Sequence, residues 1–241
     1  MTLSRHYLQF FLTIVIGCAS MLTQARQLVP GEYVSEGAYS KLNITTDKTG
    51  KLSFSIHSQA EGSCDMKGEI VGGKATLRKT SMKQNCVLRF TQKKNEIAVD
   101  GSIDICEQHY CSLANITDQY FQPPTCSTAE RSQARKEFKT LYDKKDYAAA
   151  LAKLEPVLNN CGKILDRLEL GWLRNDVALA QYKLQMPERC MATLQPLVED
   201  TTVSDTILAN YCDSCTDEFN AKYHSMIKAT RTNLRLCKPA K

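Results

Sequence analysis

The segment Ala152-Lys-Leu-Glu-Pro-Val-Leu158 recurs 40 residues later as Ala192-Thr-Leu-Gln-Pro-Leu-Val198. Tyr142 recurs as Tyr182 at the same spacing. Internal repeats of about this length are typical of stacked helix pairs, because one pair cannot bury its apolar face alone. The C-terminal half of the chain is therefore predicted to be an array of helical hairpins.

Apolar residues around the first repeat follow a helical period. Before the turn at 143–146 they are Ala134, Phe138, Leu141 and Tyr142, and after it they are Tyr147, Ala150, Leu151, Leu154 and Leu158. The two stripes predict an antiparallel hairpin. Residues 217–236 are predicted to form a final capping helix, with Phe219, Tyr223, Ile227 and Leu234 turned inward.

A longer helix, the start Lys145-Asp-Tyr-Ala-Ala-Ala150 and a shorter helix ending near Pro156 resemble a tetratricopeptide-type (TPR-like) array. Two copies at most are visible, and their period exceeds the usual one for that family. The resemblance implies a helical-repeat architecture with a concave surface for a partner.

The first half of the chain instead shows strand periodicity. In residues 51–58, Leu52, Phe54 and Ile56 alternate with polar residues. Six strands are predicted, at residues 39–45, 51–58, 64–71, 74–79, 86–92 and 96–100. They predict an antiparallel meander that closes into a barrel or folds into a sandwich.

The change of period near Pro123-Pro124 predicts an α+β chain with two domains. The expected organisation is a signal peptide at 1–25, an antiparallel β domain at 26–122, a linker at 123–127 and a TPR-like helical domain at 128–241.

Several motifs in the β domain occur in a characteristic order. They are Gly31-Glu-Tyr33, Leu52-Ser-Phe-Ser-Ile56, Cys64, Gly68, Cys86-Val-Leu88, Cys106, Cys111 and Tyr120. This order resembles a small disulfide-bonded β domain of Gram-negative periplasmic proteins, some labelled lysozyme-inhibitor-like. The resemblance covers roughly residues 30–121. It implies a fold and a compartment but no site, since no inhibitory loop can be matched.

The N-terminus has the layout of an export signal, with Arg5 before an apolar run at residues 7–17. Cleavage before Arg26 is expected. The alternative is a bacterial lipobox at Val15-Ile-Gly-Cys18, which would lipidate Cys18 and tether the protein to a membrane.

Either cleavage leaves an even number of cysteines, which behind a signal peptide predicts a disulfide framework in an oxidising compartment. They are Cys64, Cys86, Cys106, Cys111, Cys126, Cys161, Cys190, Cys212, Cys215 and Cys237. A Cys64–Cys86 bridge, a Cys106–Cys111 loop and a bridge from Cys237 to Cys190 are expected, although the spacing leaves other pairings open.

Charge is evenly distributed, which argues against nucleic acid as a partner. Residues 26–126 carry 12 basic and 11 acidic side chains, and residues 127–241 carry 18 and 15. The basic residues near the end of the last helix are expected to complement its dipole.

The one local chemical motif is Cys212-Asp-Ser-Cys215, just before the predicted last helix. A helix N-terminus lowers the pKa of a thiol, as in redox dithiols. A structural disulfide is the favoured interpretation, with a thiol–disulfide oxidoreductase and a metal site as alternatives. His224 is the only nearby histidine for a zinc site, and it is expected to be a half-buried packing residue.

Acid–base catalysis has few candidates in the predicted mature chain. Its histidines are His57, His109 and His224, scattered over both domains. Asp166, Glu169 and Asp176 are expected to form the wet face of a helix, in ion pairs with Arg167 and Arg174. No catalytic residue, metal site or cofactor is therefore predicted.

The sequence as a whole predicts a non-enzymatic binding protein of the bacterial cell envelope, periplasmic or secreted, or an outer-membrane lipoprotein if Cys18 is lipidated. Its expected partner is another envelope protein or a glycan. A narrower alternative is an inhibitor or immunity protein against a wall-degrading hydrolase.

Overall fold

A computed structural model of the protein describes residues 27–59, 63–78, 83–111, 115–212 and 215–238. The strands are β1 Gly31–Ser35, β2 Ser40–Thr46, β3 Leu52–Ser58, β4 Cys64–Ile70, β5 Lys74–Leu77, β6 Cys86–Lys93, β7 Glu96–Asp100 and β8 Gln119–Phe121. The helices are α1 Thr128–Asp143, α2 Tyr147–Cys161, α3 Arg167–Lys183, α4 Pro187–Leu194, α5 Val198–Thr201, α6 Asp205–Ala209 and α7 Asp217–Cys237.

The strands form an antiparallel, nearly closed barrel, which confirms the predicted α+β class. Apart from β4 and β5, consecutive strands pair with each other, and β1 pairs with β8 to close the ring. The remaining gap lies between β4 and β5, where Val71 and Lys74 form an isolated bridge. Gly72 and Gly73 make the turn between them with positive φ angles of 58° and 75°, which glycine adopts without strain.

Side chains fill the interior of the barrel. Inward positions alternate along each strand, and Leu42, Ile56 and Leu88 are almost completely buried. Two tyrosines inside the barrel find hydrogen-bond acceptors. Tyr33 donates to the carbonyl of Val29 at 2.8 Å, and Tyr120 donates to that of Ile116 at 3.0 Å. The barrel is therefore a packed core, and its accessible surfaces lie outside.

Two strands and one helix were missed by the sequence analysis. The strands are β1 and β8, and the helix is an eight-residue π-helix at Ile103–Tyr110. The buried Glu107 anchors this helix by accepting hydrogen bonds from the backbone of Ile116 and Thr117 and from the Thr117 hydroxyl. Cys106 of the π-helix and Cys111 directly after it pack into the barrel core.

The disulfides of the barrel differ from those expected. Cys64 pairs with Cys111 and Cys86 with Cys106. The predicted Cys64–Cys86 bridge and Cys106–Cys111 loop are therefore wrong, because the π-helix places Cys106 and Cys111 against two different strands.

The helical repeat has the same turn in both copies. Lys145 and Gln185, 40 residues apart, both have positive φ angles, of 63° and 58°. Each donates its N–H to a tyrosine carbonyl at 2.9 Å, that of Tyr142 or of Tyr182. The copies diverge at their prolines: α2 continues through Pro156, whereas a 3₁₀ turn at Gln195–Leu197 follows α4.

The last helix packs against α3 and α4. Asn175 of α3 donates to Thr230 at 2.8 Å and accepts from Asn233 at 2.9 Å, so buried polar groups of α3 and α7 satisfy each other. Cys237 pairs with Cys190, which confirms that prediction. Phe219 and Leu234 are partly buried beside the fully buried Tyr223 and Ile227.

The barrel contacts the first helical hairpin. Val34 and Phe121, on the outer face of β1 and β8, pack against the core of α1 and α2. The ammonium of Lys163 lies 5.3 Å from the Phe121 ring centroid. The Cys126–Cys161 bridge ties the connecting segment to the end of α2 beside this contact.

Five disulfides join all ten cysteines expected in the framework. They indicate a protein of an oxidising, extracytoplasmic compartment. Within the described ranges, no helix is long and apolar enough to cross a membrane. The predicted signal peptide and Cys18 lie outside the described residues.

Candidate functional site

A cleft of about 520 Å³ lies on the outside of the barrel along β7 and β8. Its wall combines apolar and charged groups: Glu36, Ala98, Val99, Asp100, Gly101, Ile103, Thr117, Asp118, Gln119 and Phe121. Ile103, at the start of the π-helix, is 59% exposed although it is a large apolar residue. The cleft also reaches Phe121, so it adjoins the contact between barrel and helices.

Carboxylates dominate the charge of this cleft. Burial raises the pKa of Asp118, and repulsion from Glu36 and Glu107 raises it further, against a hydrogen bond from the Gln119 N–H. Asp100 adds a third carboxylate to the lining. A cationic group in the cleft would relieve this repulsion.

A second polar cluster lies where α3, α5 and the segment before α7 meet. Arg167 hydrogen-bonds to the Tyr211 hydroxyl, and its Nη2 lies 3.9 Å from a carboxylate oxygen of Asp200. The guanidinium carbon lies 5.3 Å from the Tyr211 ring centroid and 5.5 Å from that of Tyr223. Tyr39 of the barrel is close enough to interact electrostatically with Arg167. The cluster therefore spans both halves of the protein.

Tyr223 in this cluster is fully buried, and its hydroxyl has no hydrogen-bond partner of regular geometry within the described residues. Burial raises the pKa of Tyr223, and interactions of its hydroxyl with Asp200 and Tyr211 raise it further, against the attraction of Arg167. Buried polar groups almost always have partners, as Tyr33 and Tyr120 do. The Tyr223 hydroxyl therefore faces Asp200 and Tyr211 without a regular hydrogen bond to either.

Cys212 and Cys215 form a disulfide just before α7. The eight other bridged cysteines are at most 5% exposed, whereas both members of this pair are partly exposed. The buried side chain of Asn220 holds the backbone N–H and carbonyl of Cys212, both at 3.2 Å. This bridge is therefore the most accessible of the five to an attacking thiol.

Within the described residues, His57 and His224 each contact a carboxylate. His57 contacts Asp65 at 2.8 Å on the outer face of the barrel, whereas Ser58 points inward and donates to the carbonyl of Asn115 at 3.0 Å. His224 lies 3.3 Å from Asp205 with its side chain 20% exposed, as expected of a half-buried packing residue. In the described part of the chain, no three His, Cys, Asp or Glu side chains are grouped as metal ligands.

Of the wet face with ion pairs predicted along α3, the exposure is found at Asp166 and Arg167, whereas the predicted ion pairs are wrong. Asp166 caps the helix, while Glu169 pairs with Arg131 of α1 at 2.9 Å. Asp176 is half-buried, which raises its pKa against the attraction of Arg135.

The two arginines of this face also turn to other elements. Arg167 reaches Asp200, and Arg174 donates to the carbonyl of Thr193 at 3.1 Å. The charges of α3 therefore connect helices to each other, because this helix is packed on several sides.

No protein-family model, no curated protein and no solved structure matches this chain.

Proposed function

We propose that this is a non-enzymatic binding protein of the bacterial cell envelope, which holds its partner in the cleft along β7 and β8. The observation that carries the proposal is the cleft itself, a concave surface beside the contact between two parts of the chain, where binding sites commonly occur. The packed barrel interior supports recognition from outside, since side chains fill the space that an enclosed ligand would need.

The charge of the cleft favours a partner that presents a lysine or arginine near an apolar group. A cation would neutralise Glu36 and Asp118, and Ile103 offers an exposed apolar contact. Two covalently braced regions suit a protein that must keep its surface shape outside the cell.

The test is native capture from an envelope extract with wild-type protein and two variants. Glu36→Gln with Asp118→Asn removes two of the three carboxylates that line the cleft, whereas Asp65→Asn neutralises an exposed carboxylate elsewhere on the barrel. We expect a captured partner to be lost with the cleft variant and retained with Asp65→Asn. Capture of no protein or glycan, or equal capture by both variants, would contradict the proposal.

A narrower form of the proposal is an inhibitor or immunity protein against a wall-degrading hydrolase. It is supported by the resemblance of residues 30–121 to lysozyme-inhibitor-like β domains. Several lysozymes should lose activity in its presence and regain it when the cleft variant replaces wild type. Full activity of all of them would exclude inhibition of lysozymes.

A second candidate is thiol–disulfide exchange at Cys212 and Cys215, favoured by the exposure of this one bridge. A substrate thiolate would attack one sulfur and release the other cysteine as a thiolate. The second substrate thiol would then complete the exchange, leaving the substrate oxidised and this pair reduced.

Thiol counting tests this candidate. A mild dithiol should release two thiols from wild type and none from Cys212→Ser with Cys215→Ser. A bridge that resists reduction under those conditions would eliminate the redox function.

A further inference from the structure

We propose that the cluster of Tyr39, Arg167, Asp200, Tyr211 and Tyr223 binds a carboxylate-bearing sugar, with Arg167 as the charged anchor. The inference deepens the proposed binding function by adding a second surface. It does not depend on the acidic cleft, whose charge would repel such a ligand.

Hydrogen-bond donors outnumber acceptors in the cluster. Arg167 has five N–H donors, and Tyr211 and Tyr223 each carry an O–H. Among the described residues, Asp200 is the carboxylate paired with Arg167, and its 3.9 Å separation from Nη2 exceeds hydrogen-bond length. A planar carboxylate from outside would match the guanidinium fork with two parallel hydrogen bonds.

Arg167 is accessible to such a ligand, since its side chain is 47% exposed. Its position is also fixed, because Tyr211 holds one nitrogen and two tyrosine rings flank the guanidinium. An arginine held in place before binding loses less rotamer entropy when the ligand arrives.

Tyr223 stabilises the Asp200 carboxylate when the ligand binds. An external carboxylate shares the charge of Arg167, which weakens the attraction between Arg167 and Asp200 in a site where the Asp200 side chain is only 17% exposed. The buried Tyr223 hydroxyl faces Asp200 in the free protein without a regular hydrogen bond, and it shortens this contact on binding.

Tyr39 favours a sugar over a simple acid. Tyr39 is 56% exposed and lies near enough to Arg167 to interact with it electrostatically, so its ring is an accessible flat surface near this charge. An acidic sugar presents an apolar C–H face and a carboxylate in one rigid unit. Acetate lacks the face, and a neutral sugar lacks the charge.

The experiment is calorimetric titration of the full mature protein with trigalacturonate, with trigalactose and acetate as the neutral and ring-free probes. Trigalacturonate should bind at least about tenfold more tightly than either probe, since a charged hydrogen-bond pair is gained. An acidic peptide of the same charge is a further arm, and its tighter binding would overturn the assignment to a sugar.

Two arginine variants make a matched pair. Arg167→Gln should weaken trigalacturonate binding about tenfold or more. Arg189→Gln should leave it unchanged, although Arg189 is also a half-exposed arginine beside a carboxylate, that of Glu155. No binding by wild type, or equal losses in the two variants, would overturn the site.

Tyr223→Phe tests the role of the hydroxyl while keeping the aromatic ring. The free protein should be about as stable as wild type, because the buried hydroxyl makes no regular hydrogen bond there. Affinity for trigalacturonate should nevertheless fall by a few-fold. Unchanged affinity with Tyr223→Phe would contradict the role of this hydroxyl, and unchanged affinity with Tyr39→Ala would contradict the sugar face.

Discussion

The barrel is a ring and the helical region is a stack. In the ring every strand has two neighbours apart from the gap between β4 and β5, and one core cluster serves them all. In the stack α1 packs on α2, α2 on α3, and α3 on α4 and α7, over two separate clusters. Disulfides brace both regions. We nevertheless expect the barrel to unfold cooperatively as one unit, whereas the helices of the stack should unfold in separate steps.

Two bridges of equal span make the sharpest test of this difference. Cys64–Cys111 in the barrel and Cys190–Cys237 in the stack both have a sequence separation of 47. A disulfide of this span restricts the conformations of the unfolded chain. Replacing either cysteine pair by serine should therefore lower the free energy of unfolding by about 4 kcal/mol. Denaturant titration would measure both losses.

Hydrogen exchange on the same two variants should show where the loss falls. We expect reduced protection in all barrel strands for the first variant, and mainly in α4 and α7 for the second. Protection lost from a single barrel strand, or from α1 and α2 together with α7, would break the comparison.

A single arginine should matter locally in the stack. Arg231 donates to the carbonyls of Thr201 and Val203 and pairs with Asp205, so it holds the α5–α6 connection to α7. Arg231→Ala should destabilise this part by about 2 kcal/mol, as expected for charged hydrogen bonds. Hydrogen exchange should rise in α5 and α6 and stay unchanged in the barrel.

Arg235→Ala is the control on the same helix, since the Arg235 side chain hydrogen-bonds only to the Thr232 hydroxyl among the described residues. It should change stability by less than about 0.5 kcal/mol. A similar loss in both variants would point to general helix destabilisation rather than to the connection.

The close approach of α3 and α7 depends on a glycine. A Cβ at Gly171 would lie 2.6 Å from the sulfur of Met226, whereas at Gly162 it would meet Leu170 Cδ1 at an ordinary 3.7 Å. Gly171→Ala should lower the melting temperature, with a loss of about 1 kcal/mol after Met226 adjusts. Gly162→Ala should be neutral or slightly stabilising, and a larger loss there would contradict this account.

Lowering the pH should change the stability of the two regions in opposite directions through one aspartate in each. This is the smallest effect that we expect. A hydrogen bond to Arg231, followed by contacts with His224, lowers the pKa of Asp205 below its ordinary value of 3.8. Its contribution to stability is therefore present above that pH and is lost as pH falls through the lowered pKa. Asp205→Asn should remove this loss.

Asp118 in the barrel has a raised pKa, mainly through burial, so the folded state keeps a proton that the unfolded state has released. The contribution of Asp118 to the stability of the barrel therefore falls as the pH rises from 3.8 through the raised pKa. Asp118→Asn should flatten this slope in a pH series of barrel unfolding. Slopes of the same sign in the two regions would contradict the assignment.

The sequence predicted most strands and both repeat hairpins because their patterns are long or duplicated. Strands β2 to β7 have alternating or turn-bounded segments, but β8 has only three residues. The π-helix mixes polar and apolar residues without a clear period. The disulfide partners of Cys106 and Cys111 could therefore not be predicted from the sequence. The Cys190–Cys237 bridge could be anticipated because Cys237 ends the last helix, where a bridge to an earlier helix is well placed.

The candidate sites were harder to predict, because their members are distant in sequence. The sequence showed Arg167 as a charged residue of α3. Its partners, however, are Asp200 and, from the barrel, Tyr39, and both are distant from it in sequence. The cleft requires the register of β7 and β8, and β8 was not detected. The accessible Cys212–Cys215 pair, a purely local motif, was identified from the sequence.

The pairing of β1 with β8 means that the barrel brings its own ends together. The first strand, which begins at Gly31, and the last strand, which ends at Phe121, are therefore adjacent, so the two ends of the barrel segment lie close together. Circular permutation follows from this arrangement: new termini placed between Gly72 and Gly73 would open the ring where one isolated bridge joins β4 to β5. The permuted barrel would keep its seven strand pairings, because none of them joins β4 to β5.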